Sequence, residues 1–149
     1  MKQFRIALLL FTVAAASLAQ ARQLAIIAEK ANNTSNLTTA ELTKIFTTKS
    51  HTWPDGTPVT VVMRDPTSPE MQVVLRKLFN MTPDQVQTLI TTHHDAIIVA
   101  NSDEAVLRFV STNRGALGVI DLYSLTKDVN VVKIDGKLPV QQDYLLRGN

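Results

Sequence analysis

At 149 residues the chain is long enough for one domain with its own core. Without cysteine it can have no disulfide framework, no thiolate zinc site and no lipid-bearing cysteine. Its 15 Lys and Arg face 13 Asp and Glu, and setting aside Lys2 and Arg5 at the extreme N-terminus leaves 13 against 13, a balance that disfavours nucleic acid as a partner.

Lys2 and Arg5 precede an apolar run over residues 6–16, and Ala19-Gln20-Ala21 supplies the small residues that a signal peptidase accepts. The reading is a signal peptide over residues 1–21, cleaved after Ala21, and a domain over residues 22–149. The run is shorter than the ~20 residues a membrane span needs, so stable membrane insertion is not expected. The expected location is the periplasm.

The domain opens with a short apolar strand over residues 24–28 and an Asn/Thr/Ser loop over 32–36. Thr38 and Glu41 form a capping box, and Leu42, Ile45 and Phe46 give the helix after it a buried stripe, ending near Lys49. Pro54-Asp55-Gly56 signals a turn, and residues 59–63 are apolar and β-branched enough for a buried strand. Ser68 can cap the next helix with Pro69 at its first position, and Thr82-Pro83 repeats that signal for a helix reaching about His93. A strand over 97–100, a helix capped by Ser102 and a strand entered through Gly115 to Ile120 make a crossover unit. A strand over 129–134 and an Asp135-Gly136 turn toward residues 138–140 follow. The predicted class is α/β, with a central mixed sheet flanked by helices.

Four segments in order carry a resemblance to the phosphate-type periplasmic solute-binding proteins of ABC importers. Leu37-Thr38-Thr39-Ala40-Glu41-Leu42 with Ile45-Phe46 resembles the family's Leu-Thr, Glu-Leu, Ile-Phe helix, and Trp53, Gly56 and Pro58 resemble its tryptophan turn. Arg64 to Ser68 stands where the family has an arginine shortly before a Ser-Gly-Thr anion loop. Ser102 to Val110, then Arg114-Gly115-Ala116-Leu117-Gly118-Val119, is similar to the late helix and Gly-Ala-Ile-Gly strand, and Asp143 to Arg147 to the tyrosine-containing C-terminal segment. The resemblance implies a single lobe of a type II periplasmic-binding-protein-like fold, in a family whose members usually have two lobes and about twice this length.

It also implies Arg64 and Ser68 as ligand contacts, and the helix-entry corner itself adds Thr67, so that a guanidinium forks onto two oxyanion oxygens and hydroxyls add donors. Two positions depart from the family pattern: Pro69 replaces a glycine and deletes a backbone donor, and Glu70 replaces a threonine with a negative charge. A bland alternative pairs Arg64 with Asp65 or Glu70 and leaves Thr67 and Ser68 to cap a helix. The implied partners are a phosphate-like oxyanion and an ABC permease or envelope sensor protein, and a homodimer could pair two half sites.

Other candidates have structural readings. His93 and His94 are adjacent and cannot share one helix face, and a helix C-terminus suits them without a metal. Trp53 reads as a packed turn aromatic, and Gly115 and Gly118 lack dinucleotide spacing, so no cofactor is expected. Asp103-Glu104 suits a helix N-terminus, and without a Gly-x-Ser-x-Gly elbow or a cysteine nothing points to an enzyme or to catalytic residues. Two functions follow: a periplasmic oxyanion-binding protein linked to ABC-type uptake or sensing, or a non-catalytic envelope interaction module that has lost the ligand.

Overall fold

The computed structural model describes residues 22–148, so the predicted signal peptide and its cleavage point lie outside the described residues. Six strands form one mixed sheet in the order β2-β6-β1-β5-β3-β4. They are β1 (Leu24–Glu29), β2 (Asn36–Leu37), β3 (Thr60–Arg64), β4 (Ile97–Ala100), β5 (Ala116–Asp121) and β6 (Val129–Ile134). β1 runs antiparallel to both neighbours, whereas β3 is parallel to β4 and β5. The expected crossover forms with one refinement: the strands it joins, β4 and β5, flank β3 instead of touching each other.

Alternation along β1 decides the layers, because period-two side chains point to opposite faces. Leu24, Ile26 and Ala28 join the larger core with α1 (Thr39–Phe46), α2 (Pro69–Val74), the π-helical turn Leu75–Phe79 that continues it, and α3 (Pro83–Thr92). Ala25 and Ile27 face α4 (Asp103–Thr112) through Val106 and Val110. Helices therefore cover both faces. Among the described residues no helix is long and apolar enough to cross a membrane.

Local chemistry explains most boundaries. Thr38 and Glu41 make the predicted capping box, Thr82 and Gln85 make a second, and the Ser102 hydroxyl accepts from the Ala105 amide at 3.1 Å. His93 is the C-terminal cap of α3. Asp135 and Gly136 turn with φ of 51° and 76°, and the Asp135 carboxylate accepts from the Thr39 amide and hydroxyl, tying this turn to the start of α1. Those bonds, the hydroxyl's first, hold its carboxyl below the ordinary range.

Three expectations are corrected. The loop read over 32–36 ends in strand β2, whose two residues pair with Lys133 and Ile134 at the sheet edge. Residues 138–140 do not continue as a strand: only Lys137 bridges back, to Ile134, and Val140 is 70% exposed. Helix α1 stops at Phe46, with Thr48 in the left-handed region at φ 62°.

Trp53 is buried in the larger core, and its indole N–H donates to the Gly115 carbonyl at 3.0 Å, as the packed-turn reading expects. Gly115 also passes so close to the Trp53 turn that an added Cβ would lie 2.0 Å from the Pro58 carbonyl oxygen. Relief would require two backbones to separate. Gly115→Ala should therefore lower the free energy of unfolding by about 3 kcal/mol, whereas Gly136→Ala, in open space, should cost about 1 kcal/mol for its left-handed φ. Urea titration of both variants checks that ranking.

Candidate functional site

Arg64 ends β3, the strand between β5 and β4, and α4 begins beside it. Its side chain retains only 21% of its exposure, and Nη1 donates to Asp103 Oδ1 at 2.9 Å. The other Asp103 oxygen accepts from the Asp121 amide at 3.1 Å and the Ser124 hydroxyl at 2.7 Å. One carboxylate thus joins β3, α4, the end of β5 and the 3-10 turn Leu122–Ser124. The bland alternative for Arg64 is corrected: its partner is Asp103, 39 residues away in sequence, and neither Asp65 nor Glu70 bonds to it.

Residues 65–71 fold as a tight corner that uses its own donors. The Thr67 amide and hydroxyl both donate to Asp65 Oδ1, at 2.8 and 2.6 Å. The Ser68 hydroxyl and amide donate to the Asp65 carbonyl, at 2.7 and 2.9 Å, so Ser68 occupies the cap position of α2 without capping it. Pro66 and Pro69 have no N–H to offer. Of the predicted trio, Thr67 and Ser68 share this corner and both hydroxyls serve Asp65, whereas the Arg64 side chain is bonded to Asp103.

Electrostatics complete the picture. The Asp65 carboxyl is held below its ordinary range by the Thr67 hydroxyl and then the Thr67 amide. Burial pushes the Glu70 carboxyl up, but its own amide, the Arg22 bond and the charges of Arg22 and Arg64 outweigh that and hold it low. Glu70 pairs with Arg22 Nη1 and Arg64 with Asp103, while the Asp65 carboxylate is taken by Thr67. The guanidinium of Arg64 keeps Nε and Nη2 without a protein partner among the described residues.

An open cleft of about 740 Å³ lies elsewhere, between residues 33–37, α1 and the 50–54 segment. None of the corner residues lines it. Lys44, the one cation that lines it among the described residues, is an exposed flexible amine one helical turn from Glu41. A preorganised guanidinium is the better anion contact, because less side-chain freedom is lost on binding.

Comparison with known proteins agrees with this architecture. A family model described as a PBP superfamily domain matches residues 11–146, and the chain belongs to that superfamily. An ABC-type phosphate transport receptor from Vibrio cholerae superposes with a TM-score of 0.72 at 21% identity, over 86% of this chain and 54% of the receptor. PstS from Borrelia burgdorferi gives 0.69 at 20% identity, over 87% and 55%. A phosphate-binding protein from Stenotrophomonas maltophilia gives 0.68 at 17%, over 80% and 40%. The chain spans about half the length of these structures, and no curated protein matches it.

Sequence reasoning missed Asp103 as the partner of the arginine and Ser124 as a partner of Asp103. Asp103 was legible only as an acidic residue in the first turn of a helix, and nothing local links it to Arg64. Truncating Asp103 to alanine strands a mostly buried guanidinium together with the Ser124 hydroxyl and the Asp121 amide. Asp103→Ala should lose about 2–4 kcal/mol of stability, and Asp103→Asn, which keeps an acceptor for the arginine, should lose less. Chemical denaturation measures both.

Proposed function

We propose that this protein is an exported solute-binding domain for phosphate or a similar small oxyanion, serving ABC-type uptake or sensing, with Arg64 as its charged contact. One observation carries the reading: a mostly buried arginine at the end of a central strand is oriented through one nitrogen and keeps two others free. Such a guanidinium can fork onto two oxygens of an anion without first being ordered. Thr67 and Ser68 add hydroxyls once these turn away from Asp65. Family membership and the phosphate receptors among its structural neighbours support the ligand class. The signal-peptide pattern of residues 1–21 supports export to the periplasm. No catalytic step is assigned, and the partners that fit are a permease or an envelope sensor.

A second reading has its own observation. Because Thr67 and Ser68 already donate to Asp65, and Glu70 takes Arg22, the corner is satisfied without a ligand. That arrangement suits a domain of the same family that binds another envelope protein and no anion.

Calorimetric titration of the purified protein with phosphate separates the two. The oxyanion reading expects saturable binding that Arg64→Gln abolishes, while that variant loses only about 1 kcal/mol of stability because Asp103 keeps two of its three bonds. Absence of heat up to about millimolar phosphate would favour the interaction module.

A further inference from the structure

We propose that the cleft of about 740 Å³ between residues 33–37, α1 and the 50–54 segment is a docking groove for an extended peptide segment of a partner protein, which pairs its main chain with Asn36 and Thr52 and sets an acidic side chain against Lys44. The groove is independent of the oxyanion reading. Trp53 on its wall bonds to Gly115 at the start of β5, whereas Arg64 ends the parallel strand β3, so groove and corner lie at opposite ends of the sheet.

β2 is an edge strand, and its Leu37 carbonyl, like that of Ser35 before it, faces β6, where the two accept from the Asp135 and Lys133 amides. Successive residues of a strand direct their main-chain groups to opposite sides, so Asn36 turns its N–H and C=O outward, away from β6. The other wall is built the same way. The His51 carbonyl accepts from the Val59 amide at 2.9 Å and the Trp53 amide donates to the Thr57 carbonyl at 2.8 Å, which leaves the N–H and C=O of Thr52 pointing away from Pro58 opposite it. Neither of those Thr52 groups has a main-chain partner among the described residues. Asn36 and Thr52 both line the cleft, so each wall offers one main-chain donor and one acceptor, the pair that an extended peptide matches with its own backbone.

Side chains define the rest of the occupant. Leu37, Ile45 and Trp53 are mostly buried yet line the cleft, which gives it an apolar base for alternate side chains of the peptide. Two charged residues line it, Glu41 and Lys44. Glu41 is spent on the start of α1, where its carboxylate accepts from the Thr38 amide and hydroxyl and the helix N-terminus balances its charge. Lys44 makes no ion pair among the described residues. The charge left over in the groove is positive, so the complementary peptide is a stretch of apolar and small polar residues carrying one carboxylate.

The probes are end-capped pentapeptides of sequence Thr-X-Glu-X-Thr, with X as valine, leucine or phenylalanine, titrated into the nitrogen-15-labelled protein. At least one should give saturable NMR shifts confined to residues 33–37, 44–45 and 50–53, with Arg64 and residues 65–71 unmoved. N-methylating two adjacent peptide amides, one for each wall, should weaken that binding about tenfold. Exchanging the peptide glutamate for lysine should weaken it about threefold, and Lys44→Glu, shown to be folded by its thermal melt, should reverse that preference. Failure of all three peptides up to about millimolar, equal binding of the N-methylated form, or a charge preference that Lys44→Glu leaves unchanged would overturn the inference. Sedimentation should show a monomer without peptide; a dimer that the peptide dissociates would put a second copy in the groove and overturn the choice of partner.

Discussion

The Arg64–Asp103 pair is the joint on which the rest of this arrangement depends. A mostly buried ion pair is tolerable only when the oxygens and nitrogens left over find partners, because desolvation otherwise outweighs the Coulomb attraction. Asp103 meets that condition with three donors from three separate places: Arg64 at the end of β3, the Asp121 amide leaving β5, and the Ser124 hydroxyl in the turn beyond. The first turn of α4 is thereby fixed against the ends of two parallel strands. Packing reinforces it from below, since Gly118 lets Val106 and Val110 of α4 approach the sheet where a Cβ would lie 2.8 Å from each. The position of the guanidinium is thus a consequence of the fold and not of a flexible loop.

Much of this was readable in the chain because the relevant signals are local. Thr38 with Glu41, Thr82 with Pro83 and Ser102 each carry a helix start within four residues, and the strands over 60–64 and 116–121 are β-branched or apolar enough to be placed before any contact is known. The family resemblance likewise rested on short segments, and the superfamily assignment agrees with it. What was not readable depends on distance along the chain. Asp103 and Glu104 look alike in sequence as acidic residues of a first turn; only the folded arrangement separates an oriented, mostly buried Asp103 from an exposed Glu104. β2 has two residues and no pattern of its own, so its strand character comes entirely from Lys133 and Ile134 beside it.

The corner from Asp65 to Glu70 satisfies its polar groups internally. Proline at Pro66 and Pro69 removes amide donors, and Asp65 and Glu70 supply acceptors that absorb the hydroxyls and a nearby guanidinium. The backbone remains a strand followed by a helix. Its hydroxyl donors are taken up by acceptors of the same corner.

The most direct test is a nitrogen-15 NMR titration of the protein with phosphate, following the Arg64 Nε–H and the backbone amides together. The account predicts saturable shifts confined to Arg64, residues 65–71 and the Asp103–Asp121–Ser124 joint, with the 740 Å³ cleft around Lys44 and Trp53 unmoved. Shifts centred on that cleft while the Arg64 signal stays still would contradict it.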